Sequence, residues 1–313
     1  MSRPHTLIGM ASTPLTALRH SWSGSRRIER LAYAVGAVLV ISGVVNAVVL
    51  LVSGGSWLGP LSLRKAVTFG LSFGLTLATL AWVTSRLRMR NGVRTLLLGA
   101  FLLASVVEVT LVTMQARRGV PSHFNFETGF DTAVSMSLAG GGAVLVLTAL
   151  GFTAMAFRRP GDLAPSMRLA VRAGLVVFMI ALATGAVMIA RGVTAARSGA
   201  PELAYTTAGS LKPLHAVAMH AILVLPVLAW LLRFSGLPEP RRLRLVRYAV
   251  AADAVFTAVI GFEAFAGISP FSAPIVLLIL SGASLAILGG TGVVAGISVV
   301  RPEMESRTSP GPG

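Results

Sequence analysis

Eight predominantly apolar runs, at about 31–53, 66–84, 94–115, 133–156, 169–190, 213–233, 246–267 and 273–299, leave this chain few ways to fold. Each is close to the ~20 residues a helix needs to cross the hydrocarbon of a bilayer. Lipid offers no partner to a free N–H or C=O, so only helices and closed barrels cross it. No run alternates apolar and polar residues as a barrel strand must, which leaves helices. A chain with 54% hydrophobic and only 12% charged residues also lies outside the range of soluble domains. The expected fold is all-α: a polytopic membrane helical bundle of about eight transmembrane helices in one domain, 31–299. A basic segment, 1–30, precedes it. A Pro/Gly/Ser-rich tail, 300–313, follows and is expected to be disordered. The first run is too long for a cleavable signal peptide and reads as a retained anchor.

Arginine placement gives the orientation. Of the 27 basic residues, Arg64, Lys65, Arg117, Arg118, Arg191, Arg197 and Lys212 fall on one side of the eight runs. The others gather on the opposite side, before the first run and in 86–94, 158–172, 233–247 and 301–307. By the positive-inside bias that side is cytoplasmic, and both termini lie there. The net charge of +16 then needs no nucleic acid. Its expected partner is the anionic headgroups of the cytoplasmic leaflet. The preference for Arg over Lys, with abundant Ala, Gly and Val, fits a GC-rich bacterial genome, and the expected location is the bacterial cytoplasmic (inner) membrane. The absence of cysteine removes disulfides, thiolate ligands and cysteine nucleophiles.

Small residues mark expected close approaches of helices: Gly70 and Gly74 in the second run, Ala139 to Gly142 in the fourth, Gly292 and Gly296 in the eighth. Internal packing is the first reading for them, and a homo-oligomer or a membrane protein partner the second. Pro226 is expected to kink the sixth run.

Function is sought among polar groups at membrane depth, where burial is costly. Glu108 and Gln115, seven apart, share a face of the third run. His215 and His220 lie in the outer half of the sixth, behind Lys212-Pro213. Glu263 lies near the outer end of the seventh. Arg64 and Lys65 open the second run, Asn46 lies in the first, and Arg191 ends the fifth. Most fall in one half of the bilayer, next to the segment RRGVPSHFNFETGFD, 117–131. Asp253 is the exception, and pairing with an arginine such as Arg247 is expected. Within 117–131, Gly119 and Pro121 break the helix, and Thr128 or Asp131 is placed to cap the next one.

His215 and His220 are five residues apart, about 140° around a helix of ~3.6 residues per turn, and cannot chelate one ion alone. His123 and Glu108 are the candidates to complete a set suited to zinc, copper or iron. Arg64, Lys65, Gln115, Arg118, Ser122 and Asn125 are candidate ligand-binding residues. Glu108, Asp131 and Glu263 are candidate acid or base groups. For each there is also a structural reading, as an ion-pair partner, a helix cap or a hydrogen-bonded interfacial group.

The stretches LRKAVTFGLSFGLT (63–76), Glu108 to Asp131, ending QARRGVPSHFNFETGFD, and LKPLHAVAMHAILVLPVLAWLL (211–232) together resemble a group of bacterial multi-pass membrane proteins. That group shares an R-G-x-x-S-H-F-N-x-x-T-x-F-D motif and a later helix with two histidines five apart before L-P. Arg118, Gly119, Ser122, His123, Phe124, Asn125, Thr128, Phe130 and Asp131 match the first motif; His215, His220, Leu225 and Pro226 match the second. Gly129 and Ala216 depart from the pattern, which tends to have proline and an aromatic there. The resemblance covers the second to fourth and the sixth runs. It implies a shared site and no particular activity.

The expected function is a polar His/Glu/Arg site at the extracytoplasmic face that binds a metal such as zinc or copper, or a haem, in a redox role. A metal-dependent lipid hydrolase, a proton-coupled transporter drawing an anion to Arg64, Lys65 and Arg118, and a non-catalytic scaffold subunit are the alternatives. Whether the chain is an enzyme stays open at this point.

Overall fold

Each apolar run becomes one long helix in the computed structural model, which describes residues 14–57, 59, 61–158, 161–199 and 209–308. Among these residues there are nine helices and no strand: α1 Pro14–Ser23, α2 Arg27–Val52, α3 Arg64–Ser85, α4 Asn91–Arg117, α5 Gly129–Arg158, α6 Pro165–Arg197, α7 Lys212–Leu232, α8 Glu239–Ala266 and α9 Ile275–Thr308. Helices α2 to α9 are long and apolar enough to cross a membrane, α9 through Ile275–Ile297. The helices overrun the apolar limits because backbone hydrogen bonding continues where side chains turn polar. Thus α6, with 33 residues, is about 50 Å long at ~1.5 Å per residue, well beyond a ~30 Å hydrocarbon core. Arg191, expected to end its helix, lies inside α6, which runs on to Arg197. The segment before the first run contains α1. The tail read as disordered continues α9 as far as Thr308. Arg3 and His5 lie outside the described residues, as do 309–313.

Glycines set how closely the helices approach. A Cβ on Gly70 would sit 2.6 Å from the Gly43 nitrogen, and one on Gly74 2.5 Å from the Gly36 carbonyl oxygen. The numbering falls on α3 as it rises on α2, so the two pack antiparallel with their backbones almost touching. The expected Gly70/Gly74 contact is therefore internal. Gly141 receives the Glu108 carboxyl and Gly142 the Ile189 side chain, so the smooth face of α5 serves α4 and α6. Gly174 of α6 lies against Ala221 and Ile222 of α7 in the same antiparallel sense. Gly292 and Gly296 behave otherwise: among the described residues nothing lies within 4 Å of a Cβ placed there. Their helix, α9, is the least buried of the eight, and these two glycines lie on its exposed side, whereas Ala295 packs into the core.

The core runs through α3 to α7, with Phe101, Phe152 and Phe178 buried at its centre. Trp82, Trp230 and Phe234 stack edge to face from α3 to α7 and the turn beyond it. Pro226 is accommodated inside α7, which is continuous from Lys212 to Leu232. The bundle has two ends. Among the described residues the loop end carries 53–57, 59, 61–63, 118–128, 198–199, 209–211 and 267–274, and the arginine end carries 24–26, 86–90, 161–164 and 233–238. At the arginine end Arg94 and Glu29, each 1% exposed, face one another at 3.4 Å. Arg94 also donates to the Leu87 carbonyl at 2.8 Å, and Glu29 accepts from the Arg26 backbone N–H at 2.8 Å. This buried clasp fastens α2, α4 and the α3–α4 turn together.

Candidate functional site

The segment 118–128 is a built loop, and its ends are specified locally. Gly119, at φ +68°, closes α4. Its N–H donates to the Ala116 carbonyl, and the Val120 N–H reaches back to Gln115, which is the Schellman arrangement. Thr128 caps α5: its Oγ1 accepts from the Asp131 N–H at 3.0 Å and donates to Asp131 Oδ2 at 2.7 Å. Of the two residues expected to cap this helix, Thr128 is the cap and Asp131 its reciprocal partner. Asp131 Oδ1 also accepts from Gln115 Nε2 at 2.9 Å and from Arg118 Nη1 at 2.6 Å. Arg118 donates to Gln115 Oε1 as well, and its guanidinium lies 4.9 Å from the Phe130 ring. The carboxylate of Asp131 is thereby saturated by structural bonds. Arg117 turns the other way and donates to Asn46 Oδ1 on α2 at 3.1 Å.

The middle of the loop is held from inside. Phe124 has φ +63°, the left-handed region, and among the described residues no other non-glycine does so. Its ring fills the notch at Gly192 of α6, where a Cβ would meet the ring atoms at 2.4–2.7 Å. Ser135 Oγ donates to the Asn125 carbonyl at 3.0 Å and accepts from the Asn125 N–H at 3.2 Å. Asn125 Oδ1 accepts from the Glu127 N–H, whereas its buried Nδ2 has no partner among the described residues. His123 packs against the rings of Phe69 and Phe124, and its Nδ1 lies 2.9 Å from Ser122 Oγ. Desolvation in this packed setting, reinforced by the charge of Lys65, holds the imidazole down at about 3. At neutral pH it is uncharged, and it is too weak a base to take a proton from Ser122.

Beside His123 the loop end gathers positive charge. Lys65 lies within electrostatic reach of both Lys212 and Arg64, and Lys212 within reach of Arg64. These residues open α3 and α7, whose N-cap positions, Leu63 and Leu211, supply no side-chain cap. The positive ends of two helix dipoles thus add to the three cations. Arg64, Lys65 and Lys212 make no ion pair with a described residue. Arg118, expected in this group, is committed to Asp131 and Gln115 instead.

No family model, curated protein or solved structure matches this chain. The reading of the site rests on its own residues.

The other candidates are dispersed. His215 Nδ1 lies 2.8 Å from the Ala181 carbonyl of α6, and His220, exposed on the outside of α7, bonds its own helix at Ala216. Gly185 meets His215 and Gly192 meets Phe124 along α6, two turns or about 10 Å apart. Among the described residues no three His, Cys, Asp or Glu side chains converge on a point a metal ion could occupy. The structure does not bring His123, His215, His220 and Glu108 into one such group. Five-residue spacing turns His220 away from His215, and the loop fold turns His123 toward Phe69.

Three carboxyls are buried with no ion pair among the described residues. Glu108, 3% exposed, lies against Gly141. Glu263, 1% exposed, has a buried Oε2 with no hydrogen-bond partner among the described residues. Asp253 makes no ion pair there either, so the expected Arg247 partnership is absent. Its Oδ2 is unpartnered, as is the hydroxyl of Thr257 one turn on. Thr257 lines an apolar cavity of about 760 Å³ between α6, α7 and α8. Sequence reasoning passed over Ser135, Gly192 and the Glu29–Arg94 clasp. In the sequence Arg94 counts only toward the positive-inside bias, and Glu29 is one carboxylate within a run of arginines.

Proposed function

We propose that this chain is a multi-pass protein of the bacterial cytoplasmic membrane, with both termini inside, which binds a small anion at the extracytoplasmic end of the bundle and carries it together with protons. The observation that supports this most is the trio Arg64, Lys65 and Lys212, set at the starts of two helices and without an ion pair among the described residues. Clustered cations are unfavourable unless something negative joins them, and the described residues supply no carboxylate. His123, neutral at physiological pH, forms an apolar-backed wall beside Lys65 and adds hydrogen-bonding capacity without further charge. The buried carboxyls Glu108, Asp253 and Glu263 supply groups able to hold and release protons at different depths of the bundle. A transported anion would be drawn to the trio, and protons taken up on the carboxyls would offset its charge.

This reading replaces the redox and hydrolytic ones on the placement of donors. The histidines do not share a point, and the His123 imidazole is too weakly basic for a Ser122 nucleophile. The test is thermal unfolding of the detergent-purified protein with chloride, acetate, benzoate and inorganic phosphate, followed by proteoliposomes loaded with a pH dye. One anion should raise the midpoint in the native protein and not in Lys65→Ala/Lys212→Ala, and a gradient of it should drive a pH change inside the vesicles. No stabilising anion and no proton movement with any of the four would overturn the proposal.

A further inference from the structure

The arginine end holds a second positively charged feature, separate from the loop end by the length of the bundle. A cavity of about 1050 Å³ opens between the α3–α4 turn, the end of α5 and the segment 161–163. It is as large as the upper range of small-molecule sites, ~300–1,000 Å³. Its wall carries Arg26, Arg86, Arg88, Arg90, Arg94 and Arg158. Two carboxylates answer these six guanidiniums. Glu29 takes Arg26 and Arg94, and Asp162 takes Arg88 at 2.7 Å. Arg86, Arg90 and Arg158 have no carboxylate among the described residues.

The positive-inside bias accounts for arginines on this side, but not for their convergence on one concavity. Two details of packing make it a built site. Gly161, at φ +70°, lies so near the α3–α4 turn that a Cβ would meet the Arg86 carbonyl oxygen at 2.6 Å. The segment 161–163 is thereby seated against the turn and closes one side of the cavity. Arg86 is held on the Trp82 ring, its guanidinium carbon 5.1 Å from the ring centre, and its Nε is buried with no hydrogen-bond partner. Burial, and then the nearby charge of Arg233, push its guanidinium below its ordinary pKa. A guanidinium fixed by stacking on the cavity wall presents the planar fork that suits phosphate oxygens.

We infer that the arginine cavity is a specific site for a phosphate-bearing anion of two or more negative charges, with Arg86, Arg90 and Arg158 as its principal ligands. Two sources offer this chemistry: the headgroup of an anionic diphosphate lipid such as cardiolipin, and a soluble diphosphate. Basic pockets between helices at the level of the headgroups are the expected place for the first.

The full-length protein, purified in a neutral detergent, would be titrated with cardiolipin, with phosphatidylcholine and with inorganic pyrophosphate. Binding is read by native mass spectrometry and by the thermal midpoint. One cardiolipin per chain, displaced by pyrophosphate and bound at least ten-fold more weakly by Arg86→Gln/Arg158→Gln, assigns the site to a lipid headgroup. Saturable pyrophosphate binding with the same loss, and no preference for cardiolipin over phosphatidylcholine, assigns it to a soluble anion. Lys65→Ala/Lys212→Ala, altered at the opposite end, should bind as the native protein does, which separates this site from the proposed transport site. An unchanged midpoint without ligand shows that the Gln variant is folded; Arg90→Gln, on an exposed turn, is the second variant should it fail. Equal binding by native and Gln variants, or no binding of either diphosphate, overturns the inference.

Discussion

Arg118 Nη1 lies 2.6 Å from Asp131 Oδ1, so the residue that caps α4 and the third residue of α5 are joined across the loop between them. The carboxylate also binds Gln115 and Thr128, so one side chain holds both flanks of the segment that carries His123. Asp131→Ala would leave Gln115 Nε2 without its acceptor and Arg118 with Gln115 Oε1 alone. A loss of about 1.5–3 kcal/mol is expected for charge-assisted bonds of this kind. Arg118→Lys, which keeps the charge and loses the fork, should cost less. Both are measured by denaturant unfolding in mixed micelles, and an unchanged midpoint for Asp131→Ala would show that the network does not hold the loop.

The Phe124 ring occupies the space a side chain would take at Gly192. Gly192→Ala should destabilise by about 1–3 kcal/mol, as overpacking commonly does. Phe124→Leu in the same chain should recover part of that loss. Additive effects in the double-mutant cycle would mean that the two positions are not in contact.

His123 gives the loop end a pH dependence. Its pKa falls from the usual ~6.5 of a histidine to about 3 in the folded protein, through burial and then the charge of Lys65. Between those values the unfolded chain binds a proton that the folded chain does not. Stability is therefore full above about pH 6.5 and declines as pH falls through that window towards 3. Phe69 and Phe124, the rings packed on it, do not titrate. Comparing thermal midpoints between pH 7.5 and 5, His123→Leu should lose less stability on acidification than the native protein. Parallel curves would remove His123 as a source of the dependence.

Glu29 and Arg94 are both buried, and each needs the other. Glu29→Ala should cost about 3–5 kcal/mol, because it strands a buried guanidinium. Glu29→Ala combined with Arg94→Leu should cost less than Glu29→Ala alone. If the double variant is the less stable of the two, the pairing is not what makes Glu29 necessary.

The helical architecture was legible because lipid leaves the backbone no other solution. Runs of ~20 apolar residues, the Gly119 stop and the Thr128 start all act through neighbours in sequence, and the structure has each of them. The small residues at 70 and 74 were legible as a contact, while those at 292 and 296 were not distinguishable from them. Spacing is the same in both, and only the position of α9 at the edge of the bundle separates them. The histidines show the same limit. A five-residue interval says that His215 and His220 diverge; it does not say that one meets Ala181 and the other leaves the bundle.

By itself, the sequence determined that this chain forms apolar helices, how many there are, and where polar groups interrupt them. These follow from hydrogen-bond satisfaction and local capping, which need only nearby residues. The tertiary structure alone decided which polar groups are spent and which are free. Arg118 is consumed by Asp131, whereas Arg64, Lys65 and Lys212 come together from two helices with no carboxylate paired to them among the described residues. Arginines from three separate stretches meet around one cavity at the other end. Electrostatic energy depends on distance in space, and no interval along the chain fixes the distance between α3 and α7.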